Sequence, residues 1–325
     1  MEFLNPQFWT FVGVVAGVYG LLALALYVQF SMAGLPNFGH VAFMALAAYT
    51  MALLVIRAHV PLAWASLAGI AAAVALGFLL GVPSLRLRAD YLAIATVAGS
   101  EMIRYLSMNL SFTGGPVGSV GMLGPTELAK YTTSWDPFIE GITGTLRSLL
   151  GDLASNDFSM LCLAWAVLLL FLLLLRRLEK SPWGRVMKSI REDEEAAASL
   201  GKNVYAFKLQ ALVLGGILGG LAGILWALEI AVFSPNDFQP TLTFYAYLIL
   251  ILGGLNRIWA IPIGAVLFGV LYSGTRFLGF YPLSLVDSGA RAYLRLLIVG
   301  VVLVVLMAVR PEGMFGKRQE LLLEK

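Results

Sequence analysis

Long apolar runs separated by short polar interruptions set the pattern of this chain. A helix needs about 20 apolar residues to cross the hydrocarbon core of a bilayer. Nine runs approach that length: Phe8–Phe30, Val41–Ile56, Leu62–Val82, Tyr91–Met108, Phe158–Leu175, Phe207–Val232, Leu242–Leu255, Trp259–Leu278 and Ala292–Val309. The pattern predicts an all-α, polytopic membrane protein with about nine transmembrane helices (eight to ten), folded as a single transmembrane domain over residues 1–325. The second and seventh runs are short, which fits tilted, broken or re-entrant segments. Irregular backbone survives at membrane depth only where it lines a cavity, so a short run beside Gly, Pro and Asn points to a substrate path. No internal repeat and no separate soluble domain is visible.

Composition agrees. The chain is 59% hydrophobic and 13% charged, against roughly 25% charged in soluble domains. The first run lacks a basic leader and a small-residue cleavage site, so it reads as a retained span. Cys162 is the single cysteine, which excludes an intrachain disulfide framework or cysteine cluster. His40 and His59 are far apart in sequence and suggest no metal site. Charge sets the orientation, because basic residues concentrate in short cytoplasmic loops. Arg86, Arg88, Arg176, Arg177, Lys180, Arg185, Lys188, Arg191, Lys202, Lys208, Arg257, Arg310, Lys317, Arg318 and Lys325 make up 15 of the 22 Lys and Arg residues. With nine spans all of them fall on one side. This predicts a cytoplasmic loop 176–208, a cytoplasmic tail 310–325, an N-terminus outside and an external loop 109–157. Arg291 and Arg295 run against the rule. The external loop has five acidic and two basic residues, and its apolar positions predict short helices lying on the outer surface.

The cytoplasmic loop carries the most specific pattern. Ser181-Pro182-Trp183-Gly184-Arg185 opens it as a turn. Val186, Ile190, Ala197 and Leu200 then recur at near-helical spacing, while Arg191, Glu192, Asp193, Glu194 and Glu195 project elsewhere. Gly201 follows as a C-terminal stop. One or two short amphipathic helices are expected, with Glu195-Ala196-Ala197 and Gly201 forming an E-A-A-x-x-x-G pattern. By itself that pattern fits a solvated linker as well as a helix that docks into a nucleotidase. Its place in the largest basic loop of a polytopic chain favours docking.

A second segment, Gly34 to His40, interrupts the first two spans with Gly, Pro and polar groups. Asn37, Gly39 and His40 then mark either a capped cytoplasmic turn or a break lining the pathway. Asn37-Phe38-Gly39-His40, with Ala42-Phe43 and Ala48-Tyr49, resembles the S-L-G-H-A-A-F-F-x-x-G-A-Y-T stretch of LivM-type permeases, the membrane subunits of branched-chain amino acid ABC importers. Arg86-Leu87-Arg88-Ala89-Asp90-Tyr91-Leu92-Ala93-Ile94 is similar to that family's R-L-R-G-D-Y-L-A-I, with Ala89 in place of Gly. Thr113-Gly114-Gly115-Pro116 with Gly118 is similar to T-G-G-x-x-G. Ile190 through Gly201 resembles its I-R-E-D-E-x-A-A-x-x-x-G loop. Leu252-Gly253-Gly254-Leu255 before Ile258-Trp259 resembles L-G-G-x-G-S-I-W, with Asn256-Arg257 replacing Gly-Ser. Arg310-Pro311-Glu312-Gly313 resembles R-P-x-G. Six landmarks in order cover nearly the whole chain.

The resemblance implies a type II-like importer subunit that translocates branched-chain or related hydrophobic amino acids. Its implied partners are a LivH-like second permease, two ATP-binding subunits and an external solute-binding protein. No catalytic residue and no cofactor are implied, since ATP is handled by the partners. The coupling segment would be Arg191, Glu192, Asp193, Glu194, Glu195, Ala196, Ala197 and Gly201. Pathway or gate candidates are Asn37, Gly39, His40, Tyr49, Glu101, Arg104, Thr113, Gly114 and Gly115. Glu101 and Arg104 lie three apart on one face of the fourth span, as a buried pair or a gating element. Gly77 and Gly81, and the series Gly215, Gly216, Gly219, Gly220 and Gly223, predict close helix packing. Glu229 is expected to face water or the binding protein. Two alternatives remain open: a related permease for urea, amides or aromatic acids, and an ion-coupled secondary transporter in which Glu101 is the one strong ion-ligand candidate. A scaffold subunit without transport fits poorly, because the E-A-A segment would have nothing to dock.

Overall fold

The computed structural model describes residues 6–85, 87–123, 135–151 and 155–274, with scattered positions between 294 and 314. Among the described residues the fold is helical, without strands. Helix α1 (Pro6–Leu26) runs directly into a π-helical turn (Tyr27–Met32). Then come α2 (Val41–Ala58), α3 (Leu62–Ser84), α4 (Ala89–Asn109), α5 (Ser119–Leu123), α6 (Trp135–Leu150) and α7 (Asn156–Lys180). Two short helices, α8 (Pro182–Glu192) and α9 (Glu194–Ser199), precede α10 (Val204–Ile230), α11 (Thr241–Gly253) and α12 (Ile261–Gly274).

Among the described residues, five helical segments are long and apolar enough to cross a membrane: Gln7–Met32, Val41–Ala58, Leu62–Ser84, Asn156–Lys180 and Val204–Ile230. The second predicted run, thought short, is a full 18-residue helix. The fourth forms the helix expected of it, but Asp90, Glu101 and Arg104 make α4 too polar to rank with those five. The short seventh run is broken, one of the outcomes its length allowed, while the eighth departs from a separate span. With α11 at 13 residues and α12 at 14, they meet at a bend of 108°, forming one broken span or a re-entrant loop. Gly254, with φ +124°, sits at the break. The ninth run, Ala292–Val309, lies mostly outside the described residues, and its described positions are helical. Residues 275–278, Arg86, the motif Arg310–Gly313 and the tail beyond Met314 also lie outside them. The stretch 109–157 holds α5, α6 and two single 3-10 turns, Ser111–Thr113 and Gly115–Val117, in accord with the short helices expected there; residues 124–134 and 152–154 lie outside the description.

The packing follows from side-chain size. Helix α1 is apolar all round and is surrounded by α7, α10, α11 and α12, as an all-apolar helix should be. Gly13 and Gly17 let α7 approach it, and the Trp165 indole N–H donates to the Gly13 carbonyl at 2.9 Å. The glycine series of α10 faces α2 and α3 inside the subunit: Gly216 meets Phe43, Gly220 meets Ala47 and Ala73, and Gly77 of α3 meets Val213. At Gly223 a Cβ would collide with the Met44 carbonyl. Gly223→Ala therefore forces α2 and α10 apart. Overpacking of this kind costs about 1–3 kcal/mol, and the expected outcome is an earlier thermal loss of the monodisperse peak in detergent chromatography. Glu229, expected to face water or the binding protein, is half-buried near the end of α10.

Candidate functional site

The loop between α7 and α10 is built by caps. The Ser181 hydroxyl accepts from the Gly184 amide, with Pro182 at the first helical position, and starts α8. Asp193 leaves helical geometry with φ −154°, and its carboxylate accepts from the Glu195 and Ala196 amides at 2.9 Å, starting α9. Gly201, at φ +76°, ends it; its amide donates to the Ala198 carbonyl at 2.9 Å, and that of Lys202 to Ala197 at 3.2 Å. A six-residue helix has little stability of its own, so these bonds hold it. Lys188 pairs with Glu179 at 2.7 Å, Lys208 pairs with Glu194, and the Trp183 indole donates to Gln210 at 2.8 Å, fixing the loop to α7 and α10.

The buried face consists of Gly184, Met187, Ile190 and Ala197. This corrects the apolar stripe expected from spacing. Met187 takes the inward place assigned to Val186, and Leu200 is 79% exposed. The break at Asp193 resets helical phase between α8 and α9, so a single continuous period cannot describe both. Glu192, Asp193, Glu195, Ala196, Ala198 and Leu200 form the outward face. A cavity of about 420 Å³ opens between this loop and residues Ala33–Pro36, Leu85, Leu87, Arg88 and Leu92, with Arg88, Arg191 and Lys208 among the charges on its wall.

The predicted pathway residues fall into two groups. The inner group centres on Gln29, a fully buried amide in the π turn that spacing did not single out. Its Nε2 donates to the Leu212 carbonyl of α10 at 3.0 Å, and its Oε1 accepts from Asn37 Nδ2 at 2.9 Å. His40 Nδ1 lies 3.1 Å from the same oxygen. His40 Nε2 is buried with no partner among the described residues. Around them the Gly39 amide donates to Asn37 Oδ1 at 3.0 Å, that of Phe38 to Thr96 Oγ1 at 3.2 Å, and that of Val41 to Thr243 Oγ1 at 3.0 Å. Gly39 passes so close to α4 that a Cβ would overlap the Thr96 carbonyl. The broken segment is thereby tied to α4, α10 and α11 at once. A polar Gln within Val28–Met32 was the available signal for this centre.

The outer group gathers on the 3-10 turn Pro235–Phe238. Tyr49 packs on Phe233 and Phe238, with its hydroxyl buried and unpartnered among the described residues. Arg104 pairs with Glu101 at 2.6 Å, donates to it from Nε as well, and reaches Asn236 Oδ1 at 3.0 Å. Thr113 is buried; its hydroxyl bridges the Ser107 and Leu110 carbonyls at 2.7 Å and closes the end of α4. Gly114 and Gly115 both take positive φ. They lead to Ser119, whose amide donates to the Phe233 carbonyl at 2.8 Å and whose hydroxyl accepts from the Phe233 amide at 3.0 Å. Tyr49, Arg104 and Thr113–Gly115 therefore share one junction, while Asn37, Gly39 and His40 belong to another.

Comparison with known proteins bears on what this arrangement serves. A family model described as branched-chain amino acid transport system / permease component matches residues 9–307. The chain is 33% identical over 307 residues to the high-affinity branched-chain amino acid transport system permease protein LivM of Salmonella typhimurium, covering 91% of this chain and 67% of that protein. The LivM protein of Escherichia coli matches to the same extent. A probable LivM of Methanocaldococcus jannaschii is 24% identical over 343 residues, 93% of this chain and 91% of that protein. No solved structure matches.

Proposed function

Because the chain belongs to the family of branched-chain amino acid transport system permease components, we propose that it is the membrane-spanning, non-catalytic subunit of an ATP-driven importer for branched-chain amino acids. Its partners in this reading are a second, LivH-like permease, two ATP-binding subunits and an external solute-binding protein. It sits in the cytoplasmic (inner) membrane with the 176–208 loop and the tail inside. About nine spans in a type II-like arrangement complete the reading. The observation that carries the coupling role is the outward face of α8 and α9. Two capped helices, anchored to α7 and α10, hold Glu195, Ala196 and Leu200 outward with nothing among the described residues to cover them. The E-A-A segment thus has the form of a rigid knob for a nucleotidase cleft.

The experiment is co-expression with the cognate partners. Stable co-purification of two ATP-binding subunits and ATP-dependent uptake of radiolabelled leucine into proteoliposomes support the reading. Uptake of urea, an amide or an aromatic acid in place of leucine would reassign the substrate. Ion-driven uptake by this chain alone would overturn the class. The geometry weighs against an ion-coupled transporter, since both Glu101 oxygens are engaged by Arg104. Glu101→Ala removes the carboxylate that orients Arg104 within α4, and with it the support for the Arg104 bond to Asn236. We expect transport per complex to fall more than expression, by severalfold, measured as uptake normalised to purified complex; normal uptake by well-expressed mutant would show the pair to be dispensable.

A further inference from the structure

Two interruptions of helical backbone lie near the α8–α9 loop. One ends the first span: the chain leaves the π turn at Met32 and reverses at Gly34, where φ is +68°. The other is the bend between α11 and α12, residues Gly254–Arg257. Arg191, at the end of α8, reaches both. Its Nη1 donates to the Ser31 carbonyl at 2.7 Å and to Asn256 Oδ1 at 3.0 Å. The carbonyls in the last turn of a helix lack intrahelical partners, and a cation is favoured at that end. Gly34 packs against the Arg191 side chain and main chain. Next to this contact, the Arg176 guanidinium lies 4.5 Å over the Trp259 ring, holding the end of α7 to the same bend.

We propose that Arg191 is the positioning residue through which movement of the α8–α9 loop enters the membrane domain. Chain breaks are where packed helices hinge, and Arg191 clasps the two breaks to one rigid loop. Beyond Ser31 the connection continues through Gln29 to Asn37 and His40. Thr243 and Tyr247 of α11 bond the same segment, at the Val41 amide and the Asn37 carbonyl. A displacement of α8 therefore moves the 33–40 segment and α11 together. This inference rests on the importer reading above.

The test uses the full complex in proteoliposomes. In Arg191→Ala complex that has retained its ATP-binding subunits, leucine taken up per ATP hydrolysed should fall about tenfold, within the range of coupling between distinct sites. Arg191→Lys, which also donates to two acceptors from one nitrogen, should recover much of the ratio; Arg191→Gln should not. Hydrogen–deuterium exchange of peptides covering 33–40 should change on vanadate trapping in the parent complex and stay constant in Arg191→Ala. An unchanged uptake-to-ATP ratio in Arg191→Ala and Arg191→Gln overturns the inference alone, as does a Lys variant no better than Ala or a trapping response that survives in Arg191→Ala. A parent complex with no ATP-driven uptake overturns the importer reading and this inference with it.

Discussion

Glu195→Arg leaves the chain inserted and folded but severs it from its energy source: the ATP-binding subunits dissociate on purification, or hydrolyse ATP without transport. The side chain is exposed in the first turn of α9 and makes no bond among the described residues that holds the loop in place. Its loss at a helix N-terminus costs about 0.3–1 kcal/mol of local stability, too little to unfold an anchored loop. What changes is the sign of the presented surface. Gly201→Pro reaches the same phenotype by a different route. Proline is held near φ −65° and has no amide proton, whereas Gly201 needs φ +76° and donates to Ala198. The last turn of α9 is lost and Leu200 with it. Uptake should fall at least about tenfold in either variant, with membrane yield and the parent chromatographic profile retained. Full coupling in both would return the loop to the status of a solvated linker.

Gln29→Leu should be the most damaging single change inside the membrane domain. It conserves volume approximately but removes one donor and one acceptor. Asn37 Nδ2 and His40 Nδ1 lose a partner in a fully buried region, while the Leu212 carbonyl, inside α10, loses the second of its two. Each buried polar group left unsatisfied costs about 1–3 kcal/mol, so the sum is on the order of several kcal/mol. The readout is a drop in detergent Tm by about 2–4 °C for each kcal/mol lost, accompanied by loss of uptake. Gln29→Glu keeps the acceptor for Asn37 and His40 but sets a carboxylate against the Leu212 carbonyl in a fully buried site, so it tests the cost of a buried charge there. A Tm of Gln29→Leu equal to that of the parent would mean that the inner polar group is not a structural centre.

Much of this fold was legible from apolar run lengths. The expected spans Leu62–Val82, Phe158–Leu175 and Phe207–Val232 correspond to α3, α7 and α10 within a few residues at each end. These helices satisfy their own backbone, so local composition decides them. The α11–α12 bend was legible in part: the short seventh run fitted a broken or re-entrant segment, but its junction with the eighth was not foreseen. Two apolar runs looked like two spans, yet 13 residues rise only about 20 Å against a core of about 30 Å. The stop at Gly201 could be read because it is local; the Asp193 cap was not read, so one stripe was drawn through two helices of different phase. The inner polar group depended on bonds such as Gln29 to Leu212, separated by 183 positions. No periodicity carries that information. Asn37 and His40 were found through the motif around them, while Gln29, Thr96 and Thr243 lack any motif and emerge only when the helices are assembled.

The π turn after α1 also bears on how this chain should be compared with its relatives. A π turn is equivalent to one residue added to an α-helix, and one residue is worth about 100° of rotation. The added position lets Gln29 point at α10 while the residues before it keep their own facing. An alignment that runs through 27–32 as ordinary helix would place the wrong side chain opposite α10 in any relative lacking the extra residue. Tracing when that one-residue insertion arose, and whether a glutamine always accompanies it, would date the inner polar group independently of any transport assay.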